Sequence, residues 1–352
     1  MCRFAKLAPA TLLMVFLVIL SACGGSSTTG GSTPASKTKT VAIVTDTGGL
    51  NDQGFNQLSY QGYMKALKEY GYKEKVIQTQ SQNDYVQNLT SAAQSADLVI
   101  AVGFLMDTPL DSVAKQNPTK YFAIVDGCAV PQGQSNCEAL PNVAPLSFKE
   151  QEAGCLVGAI SGQMEVDGKS KVPNLLGKNT VGVVGGLSIP PVNHYIAGYK
   201  YCAQKVDPSI TVKVTYSNTF NDTAKCKDAA TSLINQNHAD IIFQDAGGCG
   251  IGALDAAYQS HVYGIGVDSD QGSIHPNVIT SAEKRVDVAV YSTIKNFETG
   301  KFSNQPPVFN LKVNGVGYAN VSKDVPADAT QKANDFAKQI IAGALTPPDT
   351  IQ

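Results

Sequence analysis

Few features of this 352-residue sequence point to catalysis or to a bound metal. Histidine is scarce: His194, His238, His261 and His275 are the full set, and they stand in dissimilar surroundings with no Ser-His-Asp order. That leaves no nucleophilic triad to build. None of the eight cysteines is spaced C-x-x-C, the usual mark of a zinc or redox site. No metal and no cofactor are therefore expected. Neither sign of charge is in excess: 27 Lys and Arg stand against 29 Asp and Glu, a net charge of −2. The chain thus lacks the basic footprint that nucleic acid requires of a partner. The mostly apolar run at 7–20 is too short to span a bilayer comfortably.

What is present begins with that run. It follows Arg3 and Lys6 in the charged-then-apolar order of an export signal. It ends in Leu20-Ser21-Ala22-Cys23-Gly24, which resembles the lipobox of bacterial lipoproteins, where the cysteine sulfur takes a diacylglycerol. Residues 1–22 are predicted to be a lipoprotein signal peptide, with an ordinary cleaved signal as the alternative. Cys23 would then anchor the chain by its lipid on the extracytoplasmic side of the cell membrane. Acyl chains contribute roughly 0.8 kcal/mol per buried CH₂, so two or more hold a protein durably without a transmembrane helix. The segment 23–39, rich in Gly, Ser and Thr, reads as the lipidated cysteine plus a flexible tether. The remainder is long enough for two hydrophobic cores and too long for one typical core.

An export compartment permits disulfides. Cys128 and Cys137 bracket a Pro/Gly/Gln/Ser loop and are the first choice for a bridge. Cys202 and Cys226 lie near the ends of successive predicted helices that could sit side by side, which leaves Cys155 and Cys249. Spacing alone leaves these other pairings open.

From residue 41 short β-branched runs alternate with helix-period segments. Strands are predicted at 40–44, 75–78, 97–102 and 121–125, with helices at 54–70, 84–94 and 109–116 between them. The pattern then repeats, with helices at 150–163, 193–206, 223–235 and 250–259 and strands at 180–184, 211–216, 240–243 and 262–267. Residues 282–298 read as an amphipathic helix, opened by 280–285 and returning to the first half, followed by short segments around 308–313. Strands alternating with helices require a parallel sheet covered on both faces. The prediction is an α/β protein of two Rossmann-like lobes, a single larger doubly wound sheet being the alternative. Lobe 1 comprises 40–146 and 279–305, lobe 2 comprises 147–278 and 306–320, and 321–352 form a C-terminal helix and tail.

In parallel α/β sheets, ligands bind outside the carboxyl ends of the strands. The first strand runs into 45–57, where Asp46, Asp52, Phe55 and Asn56 gather around two glycines. Later strand ends supply Asp126, the turn holding Phe220, the Asp245-Ala246-Gly247-Gly248 turn, and Asp268; Lys284 follows. Carboxylates suit neighbouring hydroxyls such as those of a ribose, and a flat aromatic face suits a heterocycle. Each Asp alone is ordinary turn or helix-cap chemistry. It is the repetition at five strand ends that marks a site.

Several ordered segments carry a resemblance. They are 44–49 (Val-Thr-Asp-Thr-Gly-Gly) with Asp52, Phe55, Asn56 and Gln57; Ser147-Phe148-Lys149-Glu150; 182–190, ending Gly-Gly-Leu-Ser-Ile-Pro; Phe243-Gln244 with Gly247 and Gly248; 265–271; and 284–291. Together, from about 40 to 320, they resemble the basic membrane protein family of PnrA-like lipoproteins. The resemblance implies a type I periplasmic-binding-protein fold, its lobes joined by a hinge of several crossovers. It further implies purine-nucleoside recognition and service to the permease and ATPase of an ABC transporter, by a monomer. On that resemblance Asp46 and Asn56 lie near the base, Phe55 and Phe220 stack on it, Asp126 touches the ligand, and Asp268 with Lys284 holds ribose hydroxyls. Gly247 and Gly248 let backbone approach. The sequence departs from the family's pattern at Asp245, where a small residue is usual, and in the cysteine-bracketed loop after Asp126. A sugar or signalling ligand in the same fold is one alternative. A nucleoside hydrolase is another, although its bunched aspartates are missing here: five residues separate Asp46 from Asp52.

Overall fold

The computed structural model describes residues 39–352; the predicted signal, Cys23 and the tether up to residue 38 lie outside the described residues. Two sheets organise the described chain. The first has the order β2-β1-β3-β4-β5 and is parallel throughout, with β1 at Val41–Thr45, β2 at Val76–Gln78, β3 at Leu98–Val102, β4 at Tyr121–Val125 and β5 at Val143–Leu146. The strand period explains the unbroken apolar run of β1: Val41 and Ile43 enter one core, Ala42 and Val44 the other. Helices α1 (Phe55–Tyr70) and α8 (Val286–Glu298) cover the first face, α2 (Tyr85–Ser95) and α3 (Asp107–Gln116) the second.

The second sheet has the order β11-β10-β9-β8-β6-β7. Strands β6 (Thr180–Gly185), β7 (Thr211–Tyr216), β8 (Ile241–Asp245), β9 (Tyr263–Asp268) and β10 (Val278–Lys284) are parallel, and β11 (Val316–Tyr318) closes one edge antiparallel. One face carries α4 (Glu150–Asp167), α5 (Pro190–Val206) and α9 (Ala327–Ile341); the other carries α6 (Thr223–Asn237) and α7 (Gly250–Gln259). No described helix is long and apolar enough to cross a membrane.

Two sequence expectations are corrected here. Residues 278–284 form a strand of the second sheet, where the sequence suggested the opening of a helix belonging to the first lobe. Ala282, Glu283 and Lys284 are good helix formers, but pairing with Val267 and Asp268 on one side and Val316 on the other outweighs that preference. Only the helix that follows, α8, packs on the first sheet. The second correction concerns cysteine. Cys128–Cys137 pair as expected, with Cα atoms 5.6 Å apart, but the other bridges are Cys155–Cys202 and Cys226–Cys249, not Cys202–Cys226. Cys202 on α5 faces the core shared with α4, whereas Cys226 on α6 faces the core shared with α7, across the sheet. The first seam is tight: a Cβ on Gly154 or Gly158 would lie 2.2 Å from the carbonyl oxygen of Tyr195 or Tyr199.

The chain passes between the sheets at 147–149, at Arg285 and over 299–315. These strands of hinge are tied together. The Lys149 N–H donates to the Phe309 carbonyl and the Phe309 N–H to the Ser147 carbonyl, each at 2.9 Å, the rings of Phe148 and Phe309 stack at 5.0 Å, and the Arg285 N–H donates to the Gly315 carbonyl at 2.9 Å.

Candidate functional site

The carboxyl ends of both sheets face one cavity with about 600 Å³ of atom-free space, its mouth included. All eleven residues singled out from the sequence line it: Asp46, Asp52, Phe55, Asn56, Asp126, Phe220, Asp245, Gly247, Gly248, Asp268 and Lys284. They come from both lobes, which is why no short motif contains them.

The loop after β1 is built around Asp52. Its carboxylate accepts from the backbone N–H groups of Gly54 (3.1 Å), Asn56 (2.8 Å) and Gln57 (3.0 Å), satisfying orphan donors at the start of α1. The Asn56 amide is used at both ends: its Oδ1 accepts from the Asp46 N–H at 2.9 Å and its Nδ2 donates to Asp52 at 3.0 Å. Asp46 Oδ1 accepts from the Thr47 N–H and from the Tyr85 hydroxyl, which leaves Oδ2 for the cavity. Burial raises the Asp46 and Asp52 pKa values, against the hydrogen bonds that hold the charged forms. Gly103 crosses directly over Asp46. With φ of +121° and a would-be Cβ 2.5 Å from Asp46 Oδ2, no other residue fits there.

At the other end stands Lys284, 2% exposed. Its ammonium lies 2.5 Å from Asp126, 3.7 Å from Asp268 and 3.8 Å from Glu150, over the rings of Phe55 (4.9 Å) and Tyr195 (5.5 Å). Burial pulls the Lys284 pKa down, but the three carboxylates more than offset it, and the lysine stays charged. Burial likewise lifts Asp126 and Asp268 above the ordinary carboxylate range, with Lys284 opposing. Asp126 follows β4 and Asp268 ends β9, both in the left-handed region, φ +63° and +62°, where the backbone turns away from the strand course. Asp126 Oδ1 and Asp245 Oδ2 are buried without a hydrogen-bond partner.

Phe220 arrives from the loop after β7 and lies on Gly186, where a Cβ would meet the ring at 2.2 Å. The lobes touch across the mouth. The Gln53 carbonyl accepts from the Ser269 hydroxyl at 2.5 Å and from the Gln271 amide at 3.1 Å.

Sequence reasoning missed several participants. Tyr195 donates to Asp268 at 3.4 Å, Tyr85 donates to Asp46, and Glu150 joins the lysine cluster and contacts His194 at 3.1 Å. Glu150 lay in a quoted motif beside a predicted helix start. Tyr85 and Tyr195 gave no signal beyond an aromatic residue inside a helix.

The sequence and the fold are similar to those of known proteins. The family described as Bmp, ABC transporter substrate-binding protein PnrA-like, matches residues 39–350. An uncharacterized lipoprotein of Pyrococcus horikoshii is 32% identical, covering 99% of this chain and 84% of that protein. A Lactococcus lactis protein called ABC transporter nucleoside-binding protein BmpA is 28% identical over 97% of this chain and 98% of its own length. Among solved structures, an ABC transporter solute-binding protein from Aeropyrum pernix superimposes with a TM-score of 0.79 at 26% identity, covering 88% of this chain and 94% of that one. The fold is therefore the two-lobed periplasmic-binding-protein fold, and the chain belongs to the Bmp family of PnrA-like ABC transporter substrate-binding proteins.

Proposed function

We propose that this substrate-binding protein is anchored at Cys23 by lipid, captures a purine nucleoside between its lobes, and delivers it to the permease and ATPase of an ABC importer. The observation that carries the reading is the composition of one cavity: Phe55 and Phe220 from opposite lobes, and a lysine–carboxylate cluster at its end. Aromatic faces suit a flat base, and Asp268 with Lys284 suits vicinal ribose hydroxyls. Asp46 Oδ2 offers an acceptor for the base, in a loop that Asp52 and Asn56 hold in place. The name of the Lactococcus relative favours the same ligand class.

The lobes, 40–146 with α8 and 147–284 with the segment after 306, swing about the three crossovers and close on the ligand. The reading is of binding without hydrolysis, and it is supported by the Lys284 ammonium, which supplies the positive charge among the carboxylates of Asp126, Glu150 and Asp268. Calorimetric titration of ligand-stripped protein with inosine, guanosine and adenosine tests the reading, with free ribose as competitor. Tight binding is expected, with little competition from ribose. Asp268→Ala should weaken it by one to two decades, since a charged hydrogen bond is worth about 1.5–3 kcal/mol. Silence from every nucleoside, or tighter binding of free pentose, would reject it.

A further inference from the structure

Among the described residues, Asp245 is the one cavity aspartate whose side chain makes neither a hydrogen bond nor an ion pair. The residue is 5% exposed, its Oδ2 has no hydrogen bond, and the three carboxylates within 4.0 Å of Lys284 do not include it. A buried polar group left unpaired costs stability, and a valine would fit the end of a strand as buried as β8 more comfortably. A group that costs stability and lines a cavity is one the ligand completes. Burial first, and then the charge of Asp268, press Asp245 towards its neutral form; Lys284, Glu150 and Asp126 are its other charged neighbours. All four belong to the lysine end of the cavity.

We infer that Asp245 is a specificity-determining residue, its carboxyl group exchanging a hydrogen bond with one hydroxyl of the ligand's sugar. This rests on the nucleoside reading and goes beyond it. The carboxyl adds a polar partner that Asp268 and Lys284 do not supply, so the site recognises a particular hydroxyl and not merely a ribose-sized ring. A neutral acid can both donate to and accept from that hydroxyl, and an asparagine amide can do the same.

The test measures inosine and its 2′-, 3′- and 5′-deoxy analogues by calorimetry against wild type, Asp245→Val and Asp245→Asn, with the melting temperature of each unliganded protein. Wild type should bind one deoxy analogue at least tenfold more weakly than inosine. Asp245→Val should melt higher than wild type, bind inosine at least tenfold more weakly, and bind that one analogue no worse than it binds inosine. Asp245→Asn should retain most of the affinity and the discrimination. Equal penalties for Asp245→Val across all four ligands, an unchanged inosine affinity, or a lower melting temperature would overturn the inference, because each describes a structural role or none. If wild type bound no nucleoside at all, the nucleoside reading itself would fail, an outcome distinct from a wild type that binds inosine but is indifferent to Asp245.

Discussion

Replacing Lys284 by methionine removes one charge and keeps most of the apolar volume. The cost is set by what is left behind. Asp126, Asp268 and Glu150 all lie within 4.0 Å of the ammonium and all are nearly sealed from water. Losing one partner of a buried ion pair costs about 3–5 kcal/mol, because the orphaned charge stays in a medium that solvates it poorly. The orphans have one escape, which is to take up protons. Burial already raises the Asp126 and Asp268 pKa values with the lysine present, and without it they rise further. A folded state whose carboxyls hold protons that the unfolded chain releases loses stability as pH rises, from the ordinary carboxylate range near 4 up through the raised folded value. The deficit of Lys284→Met should therefore be about 3–5 kcal/mol at pH 8 and clearly smaller at pH 5. Urea unfolding at both pH values measures it, with a lowered midpoint and an unchanged slope. An equal loss at pH 5 and 8, or none, would refute the reasoning, since Lys284 would then not be holding these carboxylates in their charged form.

Three further outcomes follow from other contacts. Burial pushes Asp107 up to about 7, with only the Cys128 N–H supporting its charge; its contribution declines as pH rises from about 4 to 7, so Asp107→Asn should gain on wild type in melting temperature at pH 8 and little at pH 5. Ser269→Ala removes a hydrogen bond that joins the lobes across the mouth; at about 1 kcal/mol for such a bond, ligand should leave about fivefold faster in stopped-flow release with its entry unchanged. The Cys155–Cys202 bridge closes a separation of 47 residues, so replacing both cysteines by alanine should lower unfolding free energy by about 4 kcal/mol in denaturant titration.

Much of the site was legible because a single rule, that ligands sit beyond strand carboxyl ends, converts a list of strands into a list of positions. Asp46, Asp126, Asp245 and Asp268 each stand at or just past a strand end, and all reach one cavity. What stayed hidden depended on partners far apart in the chain. Lys284 meets Asp126 across 158 residues and Tyr195 meets Asp268 across 73, and no local pattern encodes either pairing. Strand β10 was misread for a related reason: a single residue, Arg285, separates it from α8, and its last three residues favour helix locally, so only pairing with β9 and β11 reveals it. The cysteines show the same division. The Cys128–Cys137 bridge spans nine residues and spacing suggested it, whereas the other two depend on which face of the second sheet each helix covers.

The central claim is that the cavity between the lobes encloses a nucleoside, and a structure of the protein crystallised with inosine tests it most directly. The account predicts the base between Phe55 and Phe220, with sugar hydroxyls on Asp268 and Lys284. Density for inosine elsewhere on the surface, or an empty cavity at saturating ligand, would contradict it.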